Sequence, residues 1–228
     1  MARLLLIETS TARLSTALSE DGVITDSRIC DEPRMQASLT APYVKEVLEG
    51  RSVKDLDAVC VGKGPGSYTG LRVGVSTAKG LCFGADIPLL SAGTLDILVQ
   101  EAHRIGVVPE GCRYIVPMVD ARRMEVYAAV FTPDGRQLTE TAPVIVDANS
   151  FAAELAAGPV LFIGDGALKC RETLTSSNAF FAAAFPTAMA MAPLAEAAYN
   201  EKRFEDVAYF EPFYLKDFVA TVSRKKLF

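Results

Sequence analysis

Histidine occurs once in this 228-residue chain, and tryptophan does not occur. With His103 alone there is no H-E-x-x-H and no second imidazole, so a zinc or other histidine-built metal site is not expected. A Ser-His-Asp mechanism would have to run through this one residue. His103 closes an apolar-periodic stretch, 95–102, and reads as the C-terminal residue of a helix. The five cysteines (Cys30, Cys60, Cys82, Cys112, Cys170) stand singly with no C-x-x-C pair. Three lie inside apolar runs, where a thiol is usually a small buried hydrophobe. No 18-residue apolar run and no signal peptide is present, and with the lone thiols this gives a cytoplasmic expectation. An excess of positive charge is also missing: the formal charge is -5 and the pI near 5.1. No overall field therefore attracts nucleic acid, and the one basic cluster, Arg224-Lys225-Lys226, reads as a solvated tail.

The usual phosphate motifs are absent as well. G-x-x-x-x-G-K-[ST] fits no frame, because Lys63 precedes the glycine-rich segment instead of following it. G-x-G-x-x-G fails at Ser67 and Thr69, and G-x-S-x-G fails at Pro65 and Thr69. Pro65 also removes an amide that an anion nest would use.

What is present is glycine, concentrated. Seven of the sixteen fall between Gly62 and Gly84, after the strand-like Ala58-Val59-Cys60-Val61 and into a helix-like stretch from Leu71 to Phe83. Glycine lets another group approach the main chain closely, so a phosphate or a protein segment is expected against this backbone. Gly70, Gly74 and Ala78 recur every four residues and share one helix face. That face is a shallow groove for a second helix, either of the same domain or of a partner. Thr69 is the expected N-cap.

The chain also repeats its punctuation. Strands at 4–7, 14–19 and 23–30, with an Asp21-Gly22 hairpin, precede a helix at Ser38–Leu48, a strand, the glycine-flanked helix, a short strand at 88–90 and a helix from Thr94. The second half offers strands at 114–119, 124–131 and 137–146, an Asp134-Gly135 hairpin and a helix at Ser150–Ala156. A strand at 160–163 follows, then a helix opened by Gly164-Asp165-Gly166 and running to Leu174, a strand at 178–185 and a helix at 193–202. Corresponding turns lie 112 residues apart (Glu8 to Asp120) and 113 apart (Asp21 to Asp134). Equal offsets argue for duplication: two βββαβαβα α/β domains, 1–108 and 109–228, facing a cleft where such sheets bind ligands.

This order resembles the actin-like ATPase (RNase H-like) superfamily. The segments Leu4-Leu5-Leu6-Ile7-Glu8-Thr9-Ser10-Thr11, Gly64 to Gly74, Asp120-Ala121-Arg122-Arg123-Met124-Glu125-Val126-Tyr127 and Gly164-Asp165-Gly166 are similar to the bacterial TsaB (YeaZ) family, once labelled glycoprotease-like. The resemblance implies a non-catalytic subunit that binds the catalytic subunit TsaD, with the ATPase TsaE joining, in synthesis of threonylcarbamoyladenosine at position 37 of tRNA. It implies an interface on the first two helices, here Leu39, Tyr43, Val47, Gly70, Val73, Gly74, Thr77 and Ala78, and tRNA contact only through the complex. The same helices would pair two copies of the isolated chain. Glu8, Thr9 and Ser10 at the first turn, Asp120, Arg122 and Arg123 at the second, and Gly164, Asp165 and Gly166 are candidates for a nucleotide or anion. ATP or ADP is expected only in the complex, and no metal or catalytic residue is assigned. Gln36 stands near the place where the family carries histidine, and Glu8 where the superfamily has aspartate. The competing readings are an ATP-dependent kinase or acyl transferase using Glu8, Asp120 and Mg²⁺, and, on the old label alone, a peptidase.

Overall fold

The computed structural model describes residues 2–216; Arg224-Lys225-Lys226 lies outside them. The first half of the chain forms β1 (Arg3–Glu8), β2 (Leu14–Glu20), β3 (Val23–Cys30), α1 (Gln36–Leu48), β4 (Ala58–Gly64), α2 (Tyr68–Ala85), β5 (Leu89–Gly93) and α3 (Thr94–Arg104). The second forms β6 (Tyr114–Asp120), β7 (Glu125–Ala128), β8 (Ala142–Ile145), α4 (Ala152–Ala157), β9 (Val160–Ile163), β10 (Ala179–Ala182) and α5 (Ala192–Asn200). The first sheet runs β3-β2-β1-β4-β5, and the second, read from its β8 edge, runs β8-β7-β6-β9-β10. In each, an antiparallel three-stranded meander continues into two parallel strands. The duplication expected from the turn spacing is therefore a duplication of topology.

β1 is a continuous apolar run because both its faces are covered. Leu5 and Ile7 pack toward α1 and α2, with Val44, Val47, Val75 and Ala78. Leu4 and Leu6 pack toward Ile97 of α3 and Ala195 and Ala198 of α5. The opposite stripe of α3, with Leu95, Leu98, Val99 and Ala102, packs on Ile115, Leu161 and Ile163 of the second sheet. α3 thus serves both sheets, and α5, from the second half of the sequence, covers the first. A boundary near 108 separates the sheets along the chain but not the helices in space. A buried polar lock holds the crossing: Thr187 Oγ1 donates to Glu101 Oε2 at 2.7 Å, and Arg104 donates to both Glu101 oxygens.

Several expectations need correction. α2 is capped by Ser67, whose Oγ accepts from the Gly70 amide at 3.2 Å, and not by Thr69; the Leu71 amide already bonds the Ser67 carbonyl at 2.8 Å. The strands expected at 137–146 and 178–185 shrink to the four residues each of β8 and β10. The helix expected to reach Leu174 is a single 3₁₀ turn at Leu168–Cys170. Thr173, Thr175, Ser176 and Ser177 follow it, poor helix formers whose hydroxyls compete for backbone groups. Pro42 lies inside α1.

After α5 the chain returns across the first sheet. The Glu205 amide bonds the Leu89 carbonyl at 2.8 Å, and Ser91 Oγ donates to Glu205 Oε1 at 2.5 Å. Lys79 Nζ, on α2, donates to the carbonyls of Ala208 (3.1 Å) and Phe210 (2.9 Å). The Phe213 amide bonds Lys63 O at 2.7 Å, and the Tyr214 ring lies 5.1 Å from Tyr68. Lys216 then reaches Glu125 of the second sheet. Lys79→Ala removes the donor shared by two carbonyls of this strap. It should cost about 1.5–3 kcal/mol, the range for a hydrogen bond to a charged group, and speed amide exchange at Phe213 and Phe210. Unchanged exchange would show that the lysine does not hold the segment.

Candidate functional site

The turn after β1 is closed. Glu8, Thr9 and Ser10 are each fully buried. The Ser10 amide donates to Glu8 Oε1 at 2.5 Å, Thr9 Oγ1 donates to the Gly70 carbonyl at 2.8 Å, and the Ser67 amide donates to the Ser10 carbonyl at 2.6 Å. The glycines are what allow this approach. A Cβ on Gly70 would lie 2.1 Å from the Thr9 carbonyl oxygen, and one on Gly74 would lie 2.2 Å from Thr9 Oγ1. Gly62 leaves the same room for Glu8 Oε2, and Gly66 for the Ser10 carbonyl. The Gly70, Gly74 and Ala78 face, expected to receive a second helix of the same domain or of a partner, is instead filled by the chain's own first turn and β1 core. The close-packing inference holds, but its recipient is internal. Glu8, Thr9 and Ser10 are thereby out of solvent, and a phosphate would reach them only if the turn opened.

Burial raises the Glu8 carboxyl pKa above its ordinary 4.5, and the hydrogen bonds from Ser10 and Thr9 only partly oppose this. Glu8 Oε2 has no hydrogen-bond partner, consistent with a neutral acid facing the bare Gly62.

The second turn is open. Asp120, Arg122 and Arg123 are exposed, and both arginines hold left-handed backbone (φ 74° and 51°). Asp165 accepts from the Asp120 amide at 2.9 Å, and the Arg122 amide donates to Asp120 Oδ1 at 3.0 Å. Gly164 and Gly166 pack against the end of β6, where the Gly166 amide bonds Met118 O at 3.0 Å. Asp120, Arg122, Gly164, Asp165 and Gly166 thus meet at the carboxyl ends of β6 and β9. Sequence reasoning missed Lys169, which pairs with Asp120 and donates to the Glu125 carbonyl at 2.6 Å. Nothing marks it in the sequence, because a segment read as helix forms one turn. Burial raises the Asp165 pKa. No group of three or more metal-ligating side chains occurs among the described residues.

Of the expected interface residues, Leu39, Tyr43, Val73 and Thr77 are half-buried, whereas Val47, Gly70, Gly74 and Ala78 are buried in their own core. Tyr43 leans toward Cys30 of β3, and partial burial followed by that thiol raises its pKa. The outer face of α2 instead presents Thr69, Arg72, Ser76, Gly80 and Phe83, the last 84% exposed. Between α1 and α2 lies a cavity of about 370 Å³ walled by Ala41, Val44, Leu48, Thr77 and Leu81, with Lys45 and Arg51 beside them. Phe83 was missed because an apolar run in a helix reads as core. No helix among the described residues is long and apolar enough to cross a membrane.

Comparison with known proteins agrees with this architecture. The model of the family described as TsaD, tRNA N6-adenosine threonylcarbamoyltransferase, matches residues 36–223. The tRNA threonylcarbamoyladenosine biosynthesis protein TsaB of Escherichia coli is 36% identical over 135 residues, which span 58% of this chain and 56% of that protein. The Haemophilus influenzae protein of the same name is 29% identical over 98% of this chain and 96% of its own length. A Pseudomonas aeruginosa structure titled as similar to peptidase YEAZ superposes with a TM-score of 0.83, at 28% identity, over 95% of this chain and all of that one. Two like sheets with their helices define the class: a duplicated actin-like (RNase H-like) α/β fold. Within it, the chain belongs to the TsaB (YeaZ) family, whose Bacillus subtilis member is 30% identical over 169 residues, 71% of this chain and 70% of that protein.

Two glycines of α2 give opposite predictions. Gly70→Ala drives a methyl into the Thr9 backbone and should destabilise by about 1–3 kcal/mol, the usual range for overpacking. Gly80→Ala meets nothing within 4 Å and should stabilise by up to about 1 kcal/mol through helix propensity. Urea unfolding compares them directly; equal shifts would contradict the internal contact. For Glu8, the folded chain keeps its proton to higher pH than the unfolded chain does. That contribution is complete below the ordinary carboxyl value of 4.5 and is lost as pH rises through the raised folded value. Glu8→Gln should therefore be the more stable protein at pH 8 and show a flatter stability profile above pH 5. A profile parallel to that of the wild type would contradict burial of the neutral acid.

Proposed function

We propose that this chain is a non-catalytic subunit that docks on a TsaD-type catalytic subunit and supports threonylcarbamoyl transfer to adenosine 37 of tRNA. The observation that carries the reading is the outer surface of α1 and α2. An aromatic side chain, Phe83, stands 84% exposed on it, and an apolar cavity of about 370 Å³ opens at the seam of the two helices. An exposed aromatic on a helix and an open apolar groove at its seam with another helix are both features of protein contact surfaces. Leu39, Tyr43, Val73 and Thr77 form part of that surface, while the glycine stripe acts indirectly by holding α2 against the first turn. The sealed first turn supports a non-catalytic role, because a phosphate cradle built from Glu8, Thr9 and Ser10 would have to be pried open. TsaE and tRNA then meet the chain through the complex, and in isolation the same helices pair two copies.

A second reading, an ATP-dependent kinase or acyl transferase, has one observation in its favour. The second turn is open and carries Asp120, Arg122, Arg123 and Lys169. The docking reading expects no micromolar Mg-ATP binding by the isolated chain in calorimetry; finding it would move the function into the cleft.

The decisive test of docking is affinity for the same organism's TsaD. Phe83→Glu and Thr77→Arg should each weaken it about tenfold or more while leaving unfolding unchanged. Gly74→Arg should instead lose the folded state, since the arginine would enter the space of Thr9. Full affinity in both surface variants would overturn the proposal.

A further inference from the structure

The second sheet ends in β10, a four-residue strand of sequence Ala179-Phe180-Phe181-Ala182 bonded only to β9 among the described residues. The parallel ladder fixes which backbone groups are used. The Val160 and Gly164 amides donate to the carbonyls of Asn178 and Ala182, so the even-numbered residues address β9. Phe181, between them, turns its amide and carbonyl outward, away from the sheet, where an edge is open to pairing.

A cavity of about 470 Å³ wraps this edge. On one face it is walled by Phe180, Val107 and Leu161, and on the other by Phe181, Leu174 and Arg171. Phe180 is 42% exposed. Phe181 is stacked on the buried Phe162 at 5.2 Å and is thereby held still. The Arg171 guanidinium lies over the Phe181 ring, 5.7 Å from its centre, and no carboxylate pairs with it among the described residues. The edge therefore offers three things at once: an outward amide and carbonyl, an apolar wall on one face, and on the other a cation braced on an aromatic ring with no carboxylate partner among the described residues.

We propose that β10 is a strand-addition site for an extended segment of a partner protein in which apolar and acidic residues alternate. An added strand places successive side chains on opposite faces. Main-chain bonds to Phe181 would supply affinity and the alternating pockets specificity, as in other sheet-edge recognition. Apolar side chains would meet Phe180, Val107 and Leu161, and an acidic one would meet Arg171. The site lies on the second sheet, on elements that contribute nothing to the outer surface of α1 and α2, so it does not rest on the docking reading above.

The test is amide-resolved NMR titration of the full chain with two probes, acetyl-Val-Glu-Val-Glu-Val-amide and its lysine counterpart. The proposal expects millimolar binding of the acidic peptide, with the largest shifts at Phe181 and its neighbours in β9. It expects little response to the lysine peptide. A central N-methyl group on the acidic peptide, which removes a backbone donor, should abolish the shifts. Arg171→Gln should weaken the acidic peptide about threefold to fivefold, the scale of an exposed ion pair, and narrow the difference between the two peptides. Equal response to both peptides, no shift at Phe181 in millimolar excess, or shifts caused by free benzoate but by neither peptide would overturn it, the last in favour of a small-molecule pocket.

Discussion

The Thr9 hydroxyl donates to the Gly70 carbonyl at 2.8 Å inside a space that no side chain could share. This contact fixes the N-terminal turns of α2 against the end of β1, and much of the first half of the chain follows from it. With α2 held down, Val75, Ala78 and Cys82 line up over Ile7, Val59 and Val61, and α1 closes the same layer through Val44, Val47 and Leu48. The opposite face of α2 is thereby turned outward, and Lys79 on its flank reaches the returning strap. Side chains too small to occupy space on one side of a helix thus decide what the other side presents.

The two halves use the same turn in different ways, and the difference lies in a few residues. In the first, the loop from Gly62 to Gly70 folds over Glu8-Thr9-Ser10 and buries it, leaving a carboxyl that burial keeps protonated to higher pH. In the second, Asp120 is held by Asp165 and Lys169 at the surface, and two arginines in left-handed backbone project beside it. A duplicated fold has been made asymmetric, with one turn turned into core and the other kept wet. The buried lock of Thr187 on Glu101, together with the shared helix α3, ties the two sheets into one body through contacts that neither half could make alone.

Much of this could be read before the structure. Periodicity placed β1 to β5 and the three helices of the first half because their apolar stripes are long and both faces of the sheet are covered. The second half was less legible in extent: α4 falls within two residues of its expected bounds, but β8 and β10 are four residues each, too short for a period to fix where they start and stop. The glycine spacing correctly announced close packing, yet it could not say what packs. The occupant, Thr9, is 61 residues away from Gly70 in sequence and carries no mark of its role. Phe83 and Lys169 escaped for related reasons, one hidden in an apolar run and the other in a helix that does not form.

The internal socket for Thr9 can be tested by a double-mutant cycle in urea unfolding between Thr9→Ala and Gly74→Ala. The added methyl at Gly74 collides with Thr9 Oγ1 at 2.2 Å, and removing that hydroxyl opens the space. Gly74→Ala should therefore destabilise the wild type but be tolerated in the Thr9→Ala background, with a coupling of about 1 kcal/mol or more, well beyond the few tenths expected of independent sites. Strictly additive losses would mean that the two residues do not share this space, and the account of how α2 is set would fail.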